Sequence, residues 1–482
     1  ATGESDSDAA TSSGEARQRQ STVVRSKRTD RLKTVFDLDS RDDVQRRKAD
    51  ATKPIDTSRR ARPWTIVDLA RRGGENAPLY LPMPKRPLPV SSNKGEQLRR
   101  EDAVFDAWRA ELRKYPAARL NYVEQNEEVW KQLWRTLERS HVVLMVVDAR
   151  WPSLHFADAL YYHVVQDLKR PLLLALTKCD LVPEAVLDQW QEYFEQHYGL
   201  TQSSMVRFNS FPSHRGDADV QRRRRMLKGR KRYEDAIGRD ELLHRLAALA
   251  DKAPKDITYI AFDDGRNRRE VVAKSHAKKG DAARKVVGVV GQPNAGKSSL
   301  INALMKKKVV STSRTPGHTK HFQTIVLDDK LALCDCPGLV FPALDVPKHM
   351  QILSGVFPVA QVREPFSALR VLFEGVALDE LYGLKLDDGA DDDGADDLHW
   401  SPYLLCAKYA RKRGFMLRNG RADVHRAGLA LLHDCLDGRI TIAWGPPPPN
   451  DAAIAEMEEA AADEAPATAR VREQLRASLA AP

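Results

Sequence analysis

The sequence has no long apolar run. Nowhere do its 482 residues approach the ~20 consecutive apolar residues that a membrane-spanning helix needs. The beginning of the chain also lacks the short hydrophobic core of a secretion signal. We therefore expect a protein that neither enters a membrane nor is secreted.

Cysteine is scarce as well. The chain has five cysteines and no C-x-x-C pair, so it offers neither the spacing of a zinc site nor the density of a disulfide framework. Scattered thiols are typical of a reducing compartment. We expect a monomer located in the cytoplasm, the nucleus (nucleolus included) or both.

Acidic residues are outnumbered by basic ones. Lys and Arg total 77 against 67 for Asp and Glu, a net charge of +10, which favours a polyanionic partner. Charged residues make up 30% of the chain and indicate long solvated segments. Residues 1–60 are predicted to be largely disordered, and the proline-rich residues 61–100 to run extended over other surfaces.

Apolar runs alternate with helical stretches in the middle of the chain. His141–Asp148, Pro171–Thr177 and Val286–Val290 are almost wholly apolar, as expected of parallel strands buried on both faces. The alternation predicts a doubly wound α/β fold, with Trp130 and Trp134 packed against it. The predicted regions are a disordered or extended basic region (1–100), the α/β domain (101–345) with a basic insertion (213–285), a smaller helical domain (346–445) and a disordered tail (446–482).

A phosphate-binding loop follows one of these strands. Gly291–Ser298 reads G-x-x-x-x-G-K-S and opens a predicted helix, the context in which backbone N–H groups cradle phosphates. Lys297 is expected to bridge the β- and γ-phosphates of a nucleotide, and the Ser298 hydroxyl to coordinate Mg²⁺. The residues predicted to contact the phosphates are Asn294, Ala295, Gly296, Lys297, Ser298 and Ser299.

A sensor for the γ-phosphate lies downstream. Asp335–Gly338 supplies D-x-x-G at the end of a hydrophobic strand, where Asp335 is a predicted Mg²⁺ ligand and the Gly338 N–H can approach the phosphate. A threonine between loop and sensor must reach Mg²⁺ and the γ-phosphate; Thr319 is the first candidate and Thr315 the second. The predicted catalytic residues are Lys297, Thr319 and Gly338.

A guanine-reading motif ends another buried strand. It is Thr177–Asp180, T-K-C-D, in which Asp180 can accept hydrogen bonds from guanine N1–H and N2–H₂. Lys178 is expected over the purine face, and Thr177 stands where asparagine is commoner. After the next strand, Ser210 and the N–H that follows it are predicted to support the base.

The order of these motifs is unusual. The guanine motif, which normally comes last, precedes the phosphate loop, and this predicts a circularly permuted P-loop GTPase domain that binds GTP and GDP. The residue after the sensor is Leu339, where many GTPases carry the glutamine that orients the attacking water. Hydrolysis is therefore expected to be slow, or assisted by a partner, a cation or another residue such as His318.

The motifs resemble the circularly permuted GTPases that act in ribosome assembly. The runs G-Q-P-N-A-G-K-S-S-L-I-N, T-P-G-H-T-K-H-F-Q-T and D-C-P-G-L carry the resemblance. Asp39–Lys48 and Glu128–Ser140 make the chain similar to the large-subunit GTPase and guanine-nucleotide-binding protein-like 1 branch. The resemblance implies GTP hydrolysis stimulated by a ribosomal subunit or pre-ribosomal particle, with K⁺ assisting in some members through the phosphate-loop asparagine, here Asn294.

The sequence leaves three functions open. The first is a factor that binds pre-ribosomal RNA–protein particles and reports its nucleotide state through the helical domain, with the basic residues 222–232 contacting phosphates. The second is a regulatory switch that binds only proteins, in which those basic residues serve solubility or nuclear import. The third is a GTP-binding scaffold that hardly hydrolyses.

Overall fold

The structure is a computed structural model, and it describes most of the chain between residues 34 and 446. The described ranges are 34–37, 39–56, 79–87, 94–211, 236–253, 258–263, 267–272, 284–311, 323–386 and 399–446. Within them, no helix is both long and apolar enough to cross a membrane. All five cysteines lie in these ranges as buried free thiols.

The elements are numbered in chain order. The strands are β1 Leu79–Tyr80, β2 Val142–Asp148, β3 Leu172–Thr177, β4 Met205–Phe208, β5 Thr258–Asp263, β6 Asn267–Val272, β7 Lys285–Val290, β8 Gln323–Val326, β9 Leu331–Asp335 and β10 Ala343–Leu344. The α-helices are α1 Arg41–Asp50, α2 Lys94–Leu112, α3 Glu127–Arg139, α4 Pro152–His155, α5 Asp158–Tyr162, α6 Glu184–Tyr198, α7 Arg239–Lys252, α8 Lys297–Leu304, α9 Lys348–Leu353, α10 Phe366–Gly375, α11 Leu378–Tyr382, α12 Pro402–Arg413 and α13 Val424–Leu436.

A six-stranded sheet forms the centre of the described fold, in the order β4-β3-β2-β7-β9-β8. Neighbouring strands are parallel except at one edge, where β8 runs antiparallel to β9. β2 and β3 are buried along their whole length, as their apolar sequence predicts. The carboxyl ends of the parallel strands meet at one edge, so β3, β7 and β9 bring the segments that follow them together.

Helices cover both faces of this sheet. Val143 and Met145 of β2 join a hydrophobic cluster with α2, α3 and α6, whereas Val142 and Leu144 join a second cluster with α7 and α8. Successive residues of a strand point to opposite faces, so β2 contributes to both cores. The doubly wound α/β fold predicted from the sequence is confirmed.

The tryptophans near the amino end of the domain pack inward. Trp130 and Trp134 of α3 are buried, and the Trp134 indole N–H donates to the Pro84 carbonyl oxygen at 2.8 Å. Trp108 of α2 donates in the same way to Pro82 at 2.8 Å. The predicted packing of the tryptophan pair is therefore confirmed. The extended path predicted for residues 61–100 agrees with the described residues 79–87 but was wrong for residues 94–100, which form the beginning of α2.

One helix corrects the predicted insertion. α7 lies inside residues 213–285, which we predicted to be outside the α/β core, yet Leu242, Leu246 and Ala250 are buried beside β2 and β7. Their spacing places them on one face of the helix. The prediction was wrong for this part, which belongs to the core. The basic residues 222–232 lie outside the described residues.

Disorder was also predicted too widely at the beginning of the chain. Helix α1 begins after Ser40, whose hydroxyl accepts a hydrogen bond from the Asp43 N–H at 3.0 Å. Just after α1, the Pro54 carbonyl oxygen accepts a hydrogen bond from Arg370 of α10 at 2.7 Å. The prediction was wrong for residues 39–56, because tertiary contacts hold a segment too polar to fold alone.

Helices α9 to α13 form a helical region after the sheet. α9, α10, α12 and α13 share one hydrophobic cluster, to which α10 contributes Leu372 and α13 contributes Leu431. The same cluster includes Phe36 and Trp151 from earlier in the chain. Phe36 and Trp151 lie outside the predicted helical domain (346–445) and yet belong to its hydrophobic cluster. The limits of that domain therefore remain a prediction.

Glu124 is a buried carboxyl group just before α3. Its Oε1 accepts hydrogen bonds from the N–H groups of Val35, at 3.0 Å, and Asn126, at 2.8 Å. Its Oε2 has no hydrogen-bond partner among the described residues. Burial raises the pKa of Glu124 to about 7. The folded protein therefore keeps a proton that the unfolded chain releases, and Glu124 makes folding less favourable as the pH rises from 4.5 to about 7.

Glu124→Gln should consequently stabilise the fold at neutral pH relative to the wild type. The difference in unfolding free energy, variant minus wild type, should rise by about 3 kcal/mol between pH 4.5 and pH 8, since one pKa unit is worth about 1.4 kcal/mol. Urea unfolding of both proteins at the two pH values measures this difference. A difference that does not change with pH would show that Glu124 is ionised in the folded protein.

Candidate nucleotide-binding site

The phosphate loop joins the end of β7 to the beginning of α8. Gly296, directly before α8, has a φ of +102°, and a Cβ there would lie 3.0 Å from the Thr177 hydroxyl oxygen. Glycine is required because it combines this backbone conformation with so close an approach. The first N–H groups of α8 have no acceptor within the helix, so loop and helix together offer donors to an anion.

Lys297, the first residue of α8, is held inside the loop. Its ammonium group donates to the carbonyl oxygens of Gly291, at 2.9 Å, and Gln292, at 2.7 Å. Burial lowers the pKa of Lys297 to about 8, and the nearby Asp335 carboxylate opposes that shift. The loop thus holds a buried side-chain cation at the position where the sequence predicts the β- and γ-phosphates.

Asp335 ends β9 in register with Val289 of the phosphate-loop strand β7. Its side chain is fully buried, and neither carboxylate oxygen has a hydrogen-bond partner among the described residues. Burial raises the pKa of Asp335 to about 6, while Lys297 lowers it. Among the described residues, no group of three or more histidine, cysteine or acidic side chains could hold a metal. An orphaned carboxylate beside a phosphate loop fits Mg²⁺, with the Ser298 hydroxyl as second ligand.

The sensor lies against the phosphate loop. A Cβ on Gly338 would lie 2.9 Å from Pro293 Cα and 3.0 Å from the Lys297 ammonium nitrogen, so a side chain here would displace the loop. The next residue, Leu339, is buried in the hydrophobic core and cannot orient a water molecule. Three switch residues lie outside the described ranges, so their roles remain predictions: Thr315, His318 and Thr319.

The guanine motif contacts the phosphate loop at two points. The Thr177 hydroxyl donates to the Ala295 carbonyl oxygen at 2.5 Å, across 118 residues of sequence. Lys178 has a φ of +58°, and its ammonium group donates to the Asn294 carbonyl oxygen, at 3.0 Å, and to the Asp148 carboxylate, at 2.6 Å. The sheet thus brings together two motifs that the sequence could place only separately.

Two residues of the site were not predicted. Asn209, at the end of β4, accepts a hydrogen bond from the Asp180 N–H at 3.0 Å and so holds the guanine-reading loop. The predicted contact of the next residue, Ser210, with the base stays a prediction. Asp148 ends β2 and anchors Lys178. One feature of the sequence could have identified both residues. Each is polar and stands at the end of a buried parallel strand, and those strand ends line the site.

Asn294 connects the phosphate loop to the helical region. Its side-chain Nδ2 donates to the Gly355 carbonyl oxygen at 2.7 Å, just after α9. A Cβ on Gly355 would lie 3.0 Å from that Nδ2, so the contact leaves no room for a side chain. Because Nδ2 can only donate, Oδ1 is the atom through which Asn294 could ligate a cation.

The fold and the site together define a P-loop GTP-binding domain. The phosphate loop, the sensor aspartate and the guanine motif lie at the carboxyl edge of one sheet. Along the chain, however, the guanine motif on β3 comes before the phosphate loop on β7. The domain is therefore circularly permuted.

Known proteins resemble the chain over most of its length. The sequence family described as "50S ribosome-binding GTPase" matches residues 286–362. Guanine nucleotide-binding protein-like 1 from Pongo abelii and from Homo sapiens are each 34% identical to the chain, and the match covers 86% of it and 73% of each relative. GTPase LSG1-1 from Arabidopsis thaliana is 32% identical, over 76% of the chain and 68% of the relative.

Among solved structures, GNP-bound YlqF from T. maritima matches 66% of the chain and 97% of its own, at 18% identity and a TM-score of 0.36. The sequence relatives carry the assignment. The chain belongs to the guanine nucleotide-binding protein-like 1 family of GTPases, and the resemblance inferred from its motifs is confirmed.

Proposed function

We propose that the protein binds GTP, hydrolyses it slowly to GDP on its own, and uses the bound nucleotide to control its association with a ribosomal subunit or pre-ribosomal particle. The observation that carries the GTPase part is the orphaned Asp335 carboxylate beside the buried Lys297. The ribosomal part is supported by the family description "50S ribosome-binding GTPase" and by the basic net charge.

Different residues of the site bind different parts of the nucleotide. Lys297 and the backbone N–H groups of the loop hold the β- and γ-phosphates. Gly338 lies close against the loop and offers its N–H to the γ-phosphate. Asp180 reads the guanine edge while Lys178 covers the purine face. Mg²⁺ held by Ser298 and Asp335 would neutralise charge on the phosphate oxygens.

Slow hydrolysis follows from the residue after the sensor. Leu339 is 2% exposed and packs in the core, so it supplies no group to orient the attacking water. Catalysis must then come from added positive charge near the phosphates, from another residue such as His318, or from a partner. The buried Leu339 equally favours a second candidate, a GTP-binding scaffold that hardly turns over.

Hydrolysis should be faster in K⁺ than in Na⁺. If Asn294 Oδ1 helps to hold a monovalent cation beside the phosphates, the larger ion should stabilise the developing charge and raise the single-turnover rate by at least ~10-fold. Rates are compared in the two chloride salts at matched ionic strength, with Asn294→Ala as the variant that should lose the difference. Equal rates for the wild type would remove the cation and leave partner activation.

Single-turnover hydrolysis with and without purified ribosomal subunits tests the proposed function. We expect the rate constant to rise by at least ~10-fold when the productive particle is added, because the missing catalytic group is then supplied in trans. No stimulation, with clear intrinsic turnover, would favour a switch that binds only proteins. No turnover under either condition, with tight GTP binding, would favour the scaffold.

A further inference from the structure

Arg150 joins the guanine-reading side of the site to the last helix of the helical region. It lies two residues beyond β2 and is fully buried. Its Nε and Nη2 donate to the two carboxylate oxygens of Asp148, at 3.1 and 2.9 Å. Its Nη1 donates to the carbonyl oxygen of Cys435, in the last turn of α13, at 2.7 Å. All three guanidinium nitrogens are therefore committed, two to the domain and one to α13.

Asp148 links Arg150 to the guanine motif. Its Oδ2 also accepts from the Lys178 ammonium group at 2.6 Å, and Lys178 reaches the Asn294 carbonyl oxygen at 3.0 Å. Burial disfavours the ionised form of Asp148, but Arg150 and Lys178 outweigh it and hold the pKa well below its usual range. A row of cation, anion and cation, in which Arg150 and Asp148 are fully buried and Lys178 is partly exposed, thus positions Lys178. Loss of the central Asp148 would leave two neighbouring cations without their shared anion.

The end of α13 touches the guanine motif at a second, independent point. Gly438, just beyond the helix, has a φ of +75°, and a Cβ there would lie 2.7 Å from Leu181 Cδ1. Leu181 directly follows the guanine-reading Asp180. Further along, the backbone N–H of Trp444 donates to the Arg150 carbonyl oxygen at 3.3 Å. The helical region therefore contacts Leu181, directly after the guanine motif, and also Arg150, which is linked to Lys178 of that motif through Asp148.

We infer that Arg150 is a positioning residue that ties the position of Lys178 to the docking of α13, so that guanine binding and α13 docking stabilise each other. The coupling is reciprocal. If docking of α13 raises the affinity for guanine nucleotide, bound nucleotide must stabilise docked α13 by the same free energy. The contacts that carry this coupling lie on the guanine side of the site and do not involve the γ-phosphate. GDP should therefore produce the coupling as GTP does. The inference rests on the proposed function only in requiring that the motif binds guanine.

Arg150→Lys is the variant that tests this coupling. Lysine keeps the positive charge beside Asp148, but a single ammonium group cannot span both carboxylate oxygens and the Cys435 carbonyl as the planar guanidinium does. Arg439→Lys is the matched control, since Arg439 lies at the same end of α13 and pairs with Asp434. The measurements are GDP affinity by calorimetry and hydrogen exchange of residues 424–440 with and without GDP.

In the wild type, GDP should slow hydrogen exchange across the end of α13. Arg150→Lys should bind GDP about 5- to 100-fold more weakly and lose most of that protection, whereas Arg439→Lys should keep both within about twofold. The inference is overturned if GDP leaves exchange of α13 unchanged in the wild type, or if Arg150→Lys is protected as the wild type is.

Gly438→Ala keeps the inference testable if Arg150→Lys fails to fold. The added methyl group would press on Leu181 from the helical side, so GDP affinity should fall although no nucleotide ligand has changed; an unchanged affinity would overturn the inference. A wild-type protein that binds no guanine nucleotide would sink the proposed function and this inference with it, whereas normal GDP binding without α13 protection would sink the inference alone.

Discussion

Lys297→Ala is expected to abolish productive GTP binding, weakening affinity by at least ~100-fold. The lysine is the side-chain cation inside the phosphate loop, and its ammonium group is bound by the carbonyl oxygens of Gly291 and Gln292. Without it, those carbonyl dipoles would face the phosphate oxygens with no intervening positive charge. Titration with a fluorescent GTP analogue measures the loss.

Lys307→Ala is the matched control for this substitution. It removes the same charge from an exposed position just beyond the end of the same helix, and it should leave GTP affinity within about twofold. Thermal unfolding of both variants verifies that they fold. Unchanged GTP affinity in Lys297→Ala would sink the assignment of the phosphate site.

Asp180→Asn should weaken GTP binding by at least ~10-fold and raise the relative affinity for xanthine nucleotides. In the proposed site the carboxylate accepts from two guanine donors, and an amide could accept from only one of them. Xanthine presents an acceptor where guanine has its amino group, and the asparagine amide can donate to it. Because the Asp180 backbone N–H is held by Asn209, the loop should keep its position in the variant.

Competition between GDP and XDP against a labelled nucleotide measures this change of preference. Asp188→Asn, on α6 where the side chain pairs with Arg207, makes the same chemical change away from the site and should keep the wild-type preference. A guanine-to-xanthine ratio that does not move in Asp180→Asn would refute the guanine motif while leaving the phosphate loop intact.

The parts of the site that were predictable from sequence are those built from contiguous residues at strand ends. The phosphate loop, the sensor and the guanine motif each occupy a few adjacent positions, and parallel strands bring their carboxyl ends to one edge. β2 and β3 could be recognised because strands buried on both faces are apolar throughout. The permutation was predictable for the same reason, since it is only the order of these motifs.

The parts that could not be predicted depend on contacts between distant residues. Nothing local marks Arg150 as the partner of the Cys435 carbonyl, 285 residues away, or Asn294 as the partner of Gly355. Helix α1 is charged and would not fold alone; contacts such as that of Arg370 hold it in place. α7 does show an apolar face, but it follows a strongly basic stretch that suggested an insertion.

We propose that the nucleotide state of this site controls binding to a ribosomal particle. The decisive measurement is co-sedimentation with purified ribosomal subunits in GDP, in a non-hydrolysable GTP analogue and without nucleotide. Asp180→Asn assayed with the xanthine counterpart of the analogue assigns any effect to the guanine site. We predict that the GTP analogue retains the wild-type protein on one particle and GDP releases it, and that the xanthine analogue does the same for the variant. Equal sedimentation in all three nucleotide conditions, or none in any, would contradict the claim.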